Sequence, residues 1–132
     1  MAGIVVLDAG VLIALSSESD AHHEWAMGVF LHTLSQELSM SALTYAEVMV
    51  HPTTAGKADE FQQRLAGLHL QVRPCDQSDV ADLATLRVES GLRMPDAVVL
   101  HESLTLGATL ATTDNRLSRE ARKRGVLALS PH

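Results

Sequence analysis

The stretch IVVLDAGVLIAL, residues 4–15, holds a single ionisable side chain, Asp8, in an otherwise apolar or glycine run. A buried carboxylate without a partner is costly, so a charge in this position calls for a cap, a cation or a proton. Ile4, Val5 and Val6 form a short β-branched run, which reads as a strand buried on both faces. Residues 9–16 read as a short helix. Asp8 therefore falls at the end of the strand, where it caps the helix or serves as a ligand. What else the chain brings to that place decides between the two.

Working outward, a longer helix is expected from about Asp20, as its N-cap, to about Leu38, with Ala26, Val29, Phe30 and Leu34 on one face. A brief strand over 39–42 leads into a helix at LTYAEVMV (43–50), and HPTTAG (51–56) reads as a turn by composition. A helix over 57–68 precedes the strand LQVR (70–73), ended by Pro74. Asp76 caps a helix of roughly 77–90, favoured by Asp79 and Asp82 in its early turns and closed by Gly91. Pro95 suits the first turn of a helix over 95–106, ended by Gly107. ATLAT (108–112) is a strand, DNRLSREARKR (114–124) a helix closed by Gly125, and VLAL (126–129) a last strand. Strands alternating with helices predict an α/β fold. One domain over residues 1–132 would carry a mostly parallel, doubly wound sheet of about five strands, flanked by helices.

Composition bounds the function. With 46% hydrophobic but only 3% aromatic residues, the core is aliphatic and long enough in sequence to be one real domain. Cys75 is alone, so intrachain disulfides and thiolate metal clusters are excluded, which fits a reducing cytoplasm. No basic residue precedes the first apolar run and Asp8 interrupts it, so neither a signal peptide nor a membrane span is expected. A formal charge of −6 is unusual for a nucleic-acid binder. Yet five of the ten basic residues fall together, at Arg116, Arg119, Arg122, Lys123 and Arg124. They read either as a solvated helix face with cations near its C-terminal turn, or as a contact for a phosphate backbone.

In open parallel sheets, ligands bind beyond the carboxyl ends of the strands near the switch in strand order. Asp8 and Asp114 occupy two such ends. Glu47, in the helix after strand 39–42, and Asp96, in the first turn of its helix, reach the same edge. Each has an ordinary explanation: Asp114 as an N-cap, Asp96 through the helix dipole, Glu47 as an exposed helical acid. Gathered together, like charges raise one another's pKa values and destabilise the fold unless a cation neutralises them. Mg²⁺ or Mn²⁺ suits such hard oxygen donors and the chemistry of phosphodiester hydrolysis.

IVVLDAGVLIAL, SALTYAEVMV (41–50) and GLRMPDAVVLHESLTLGATLATTDNRL (91–117), in this order, resemble the PIN-domain ribonucleases, and in a free-standing chain of this length the VapC toxins of prokaryotic toxin–antitoxin pairs. LTYAEV and LATTDNRL are the more specific parts. The resemblance implies that Asp8, Asp96 and Asp114 surround Mg²⁺ or Mn²⁺, that Glu47 completes an acidic quartet, and that the Thr112 hydroxyl supports the site. It implies hydrolysis of structured RNA, such as transfer or ribosomal RNA, to a 5′-phosphate and a 3′-hydroxyl. It further implies neutralisation by a VapB-type antitoxin and a homodimer. The helices near 43–50 and 57–68 would form the antitoxin groove, although Val48, Met49, Phe61 and Leu65 also read as core. Arg116, Arg119, Arg122 and Arg124 would guide the RNA backbone. The chain departs from the family at Ala9 and Gly10, where small polar residues usually follow the first Asp, and at His101 and Glu102, where small residues are common.

Other chemistries fail on particular residues. HHEWAM (22–27) has Met27 where a zinc-protease motif needs its second histidine. Gly10 stands where a haloacid-dehalogenase-like phosphatase needs a second Asp. A receiver domain needs an acid near residues 70–74, which Arg73 and Pro74 occupy, and a lysine after a later strand. No Gly-rich phosphate loop is present. The alternative in another class is a PIN-like fold kept as a binding or regulatory module without catalysis.

Overall fold

The structure, a computed structural model, describes residues 3–132. It is a single α/β domain whose five strands are all parallel, in the order β3-β2-β1-β4-β5. Here β1 is Ile4–Leu7, β2 Glu37–Ser41, β3 Gln71–Arg73, β4 Thr109–Ala111 and β5 Ala128–Leu129. The helices are α1 (Ala9–Ser16), α2 (His23–His32), α3 (Ala42–Thr54), α4 (Ala58–Leu65), α5 (Val80–Ser90), α6 (Met94–Leu106) and α7 (Asn115–Lys123), with 3-10 turns at Ala66–Leu68 and Gln77–Asp79. Among the described residues no helix is long and apolar enough to cross a membrane.

β1 is central, and its period-two alternation feeds two cores. Val5 and Leu7 pack with Leu38, Met40 and Ala111 against Val11, Leu12, Ala26, Val48 and Leu65 of the helices on one face. Val6 packs with Leu110 and Ala128 against Leu86, Val99, Leu100, Leu117 and Ala121 on the other. Chain direction reverses its walk across the sheet at β1: β2 and β3 lie to one side, β4 and β5 to the other. The carboxyl ends of β1 and β4 flank that switch.

Three expected boundaries moved, each for a local reason. The second helix stops at His32, not Leu38, because Thr33 turns its hydroxyl back onto the Val29 and Phe30 carbonyls and a turn follows. Leu34 consequently lies exposed outside the helix, and β2 begins at Glu37. Asp20 caps the turn ahead of α2, accepting from the His22 N–H, and not the helix itself. HPTTAG is not a turn throughout: α3 continues through a buried Pro52 to Thr54 before Gly56, at φ 72°, ends the segment. Asp76 does cap, closing a capping box with Asp79 over a 3-10 turn, after which α5 begins.

β2 departs from an all-apolar strand. Glu37, Ser39 and Ser41 share the face covered by α6, and α6 answers with Glu102. The buried Ser39 hydroxyl donates to Glu102 Oε2 at 2.7 Å and accepts from Arg73 Nε at 2.9 Å, while Arg73 Nη2 reaches Glu37 at 2.9 Å. Burial pushes the Glu102 carboxyl up, opposed by the Ser39 hydroxyl and the Arg73 charge. This ladder ties edge strand β3 to α6. E102A leaves the buried Ser39 hydroxyl without its acceptor and opens a void, so urea denaturation should show a loss of about 2–3 kcal/mol. E102Q keeps an acceptor there and should stay within about 1 kcal/mol of wild type. An E102A protein as stable as wild type would remove the ladder from the account of the fold.

Candidate active site

β1 and β4 pair in a register that sets Leu7 beside Ala111, so the two residues that follow, Asp8 and Thr112, leave the sheet side by side. The Asp8 N–H continues the ladder by donating to the Ala111 carbonyl at 3.0 Å. The Asp8 side chain then divides its oxygens. Oδ1 caps α1, accepting from the Ala9 N–H at 2.7 Å, and Oδ2 accepts from the Thr112 hydroxyl at 2.7 Å. Asp8 is thus a helix cap through one oxygen, while the other faces the sheet edge.

Thr112 is fully buried and its hydroxyl works both ways, donating to Asp8 and accepting from the Asp114 N–H at 3.0 Å. Asp114 in turn caps α7 through the Leu117 N–H at 3.0 Å. Asp96 arrives in the first turn of α6, behind Pro95 and the extended N-cap Arg93. Glu47 arrives from the middle of α3, at an exposed position.

The electrostatics show that the four acids share one field. Burial pushes the Asp8 carboxyl up, opposed by its two hydrogen bonds and reinforced by Asp114. Burial also raises Glu47, with Asp8 adding to it. Asp96 is pushed up to about 6, first by burial, then by the charges of Asp8 and Asp114, with Glu47 a smaller contribution and the Arg93 guanidinium opposing. Among the described residues, no three carboxylate, histidine or cysteine side chains close around a common point as a metal site would require. The donor set nevertheless fits a hard divalent cation in its chemistry: carboxylate oxygens, with a mutual repulsion to relieve.

The basic residues behave unequally. Arg116 Nη2 donates to the Gly91 carbonyl, Arg122 Nη2 to the Ala128 carbonyl, and Arg124 pairs with Glu120 at 2.7 Å, as Lys123 does at 3.2 Å. Arg119 is exposed and, among the described residues, makes no such contact. Arg93 was not anticipated from the sequence; its position three residues before Asp96, on the same helix start, was the available signal. Of the supposed groove residues, Val48 and Leu65 are buried, Phe61 packs on the same core and Met49 is half-buried.

The PIN domain family model matches residues 5–123. The chain belongs to the PIN domain family. Its fold is similar to that of a toxin–antitoxin complex from Klebsiella pneumoniae, at 22% identity over 86% of this chain and 89% of the other, with a TM-score of 0.72. FitAcB from Neisseria gonorrhoeae is similar at 18% identity, 96% and 97% coverage and a TM-score of 0.71. VapBC2 from Rickettsia felis, bound to a DNA fragment from its promoter, is similar at 15% identity, 96% and 98% coverage and a TM-score of 0.71. No curated protein matches the sequence.

For this PIN domain the raised Asp96 has a consequence for stability. Its carboxyl holds a proton more tightly in the fold, at about 6, than in the unfolded chain, near 3.8. The native state therefore binds more protons between these values, and stability falls as pH rises from about 4 through 6 and stays reduced above. D96N removes this loss. In EDTA at pH 7, D96N should be more stable than wild type by about 1 kcal/mol after allowance for solvent screening. The two should converge near pH 4. Parallel stability curves over this range would show that Asp96 does not carry the strain.

Proposed function

We propose that this PIN domain is a metal-dependent endoribonuclease, a VapC-type toxin that cuts structured RNA such as transfer or ribosomal RNA in the cytoplasm and is neutralised by a VapB-type antitoxin. The observation that carries the reading is the convergence of Asp8, Asp96, Asp114 and Glu47 on the carboxyl edge of β1 and β4, with Thr112 joining two of them. PIN domains are generally nucleases, and the similar fold from Klebsiella is a toxin–antitoxin complex by name, that from Rickettsia VapBC2 on promoter DNA. Those similarities support an antitoxin partner, and a homodimer is a further part of the proposal. The exposed Leu43 and Val50 of α3 are apolar positions available for such contacts.

Asp8, Asp96 and Asp114 would hold Mg²⁺ or Mn²⁺, with Glu47 contributing from α3. Such a cation, when bound, would neutralise the carboxylates and activate the water that attacks phosphorus, leaving a 5′-phosphate and a 3′-hydroxyl. The chain's own part is orientation. Thr112 fixes the rotamer of Asp8 and the start of α7, so two carboxylates keep their relation while Glu47 and Asp96 adapt. Two divalent ions would also take the formal charge from −6 to −2, which lessens the repulsion of an anionic substrate.

The test is to incubate antitoxin-free protein with total transfer and ribosomal RNA in Mg²⁺, Mn²⁺ or EDTA, alongside D8N. Fragments with 5′-phosphates should appear in metal only and disappear in D8N, by at least a hundredfold in rate. Equal RNA binding by wild type and D8N without cleavage in any metal would favour the binding module instead.

Arg119, the exposed guanidinium on α7, is the residue of the basic run that we assign to RNA. R119Q should weaken RNA binding uniformly and reduce the slope of log K against log salt by about 1. R122Q and R124Q, whose partners are Ala128 and Glu120, should instead act mainly on the stability of α7. An unchanged slope in R119Q would take the RNA contact off this helix.

A further inference from the structure

Gly10 lies in the first turn of α1, two residues after Asp8, and a side chain there would have to displace a neighbour. A Cβ at Gly10 would run into the Thr113 hydroxyl oxygen, with Thr113 Cβ 3.7 Å away. The space beside Asp8 that residue 10 leaves open is thus filled by a hydroxyl from the loop after β4. Thr113 is itself held in place: it is half-buried, its neighbours Thr112 and Asp114 are hydrogen-bonded into the site, and its carbonyl lies 3.0 Å from the His132 ring nitrogen Nε2. Among the described residues the Thr113 hydroxyl makes no hydrogen bond of its own. A half-buried hydroxyl without a protein partner, against Gly10 and next in sequence to Asp114, has capacity to spare for solvent.

We propose that Thr113 is a positioning residue of the carboxylate site: seated over Gly10, its hydroxyl orients the waters through which Asp8 and Asp114 hold a divalent cation. It supplies from β4 the polar group that residue 10 does not have. This rests on the metal-dependent reading above. The alternative is a purely steric fit, in which any group of the same shape serves. Hydroxyl and shape are separable, because valine reproduces the threonine outline without the oxygen.

Mn²⁺ affinity, measured by calorimetry or by the loss of free-ion electron paramagnetic resonance signal, separates them without requiring turnover. T113V should weaken Mn²⁺ binding roughly tenfold, the loss typical of removing an outer-sphere partner, while T113S should match wild type. G10S alone should melt earlier through the collision, whereas G10S/T113A, which returns a hydroxyl from the opposite side, should recover most of the Mn²⁺ affinity. Should T113V melt early, T113A reads the same comparison. Equal affinity in T113V and wild type, or equal weakening in T113S and T113V, overturns the proposal, as does an absence of Mn²⁺ binding in wild type. The expected affinity pattern together with no RNA cleavage would sustain Thr113 and sink the nuclease reading alone.

Discussion

The pairing of β1 with β4 is the constraint on which the site depends. Their register brings Asp8 and Thr112 out of the sheet together, and one buried hydroxyl then links Asp8 to the start of α7. Both strands are sealed on both faces by aliphatic side chains, so a slip of one residue would exchange side chains between the two cores and spoil the packing of each. Hydrophobic registration therefore does what no local interaction between the acids could do. It holds like charges near one another against their repulsion.

The domain handles buried carboxylates in two ways, and the contrast separates structure from site. Glu102 sits on the buried face of α6 and accepts from Ser39, with Arg73 close by and Glu37 at the far end of the ladder. The Ser39 hydroxyl and the nearby cation oppose its desolvation without cancelling it, and no like charge adds to it. Asp96 has no comparable arrangement: the charges around it are mostly of its own sign, and the one opposing cation, Arg93, only moderates them. A carboxylate left in that condition costs stability in the metal-free protein. Such unrelieved strain is common where a site awaits a counter-charge, although ion-pair networks can also perturb pKa values.

Much of this was legible in the chain. Asp8 and Asp114 stand out because each follows a short aliphatic strand, and the parallel α/β alternation predicts which edge they share. Glu47 and Asp96 were readable as acids on helices that reach that edge, and Thr112 became readable through the family resemblance, which the PIN domain match bears out as a family assignment. The rest depended on contacts distant in sequence. Glu102 pairs across 63 residues with Ser39, and the only local hint was that ELSMS alternates polar and apolar residues in a sheet covered on both sides. Pro52 and Thr33 misled for the opposite reason. Burial of Pro52 kept α3 helical through a segment whose composition favours a turn, whereas one hydroxyl at Thr33 ended α2 inside a run with helical periodicity.

Gly10 shows why a departure from a family pattern has to be read in three dimensions. Along the chain, Ala9-Gly10 after the first acid looks like a loss of polar support for Asp8. In space, the absence of a side chain at Gly10 is what admits the Thr113 hydroxyl, and the support for Asp8 comes from Thr112 on the same strand end. Polar groups that would lie on α1 are instead drawn from β4. Asp114 follows in the same segment after β4, so two adjacent threonines and an acid just beyond one strand end now organise the approach to Asp8. A change in β4 register would disturb all three at once, whereas a change in α1 would reach only the cap at Ala9. The strand, more than the helix, therefore sets the geometry of this site.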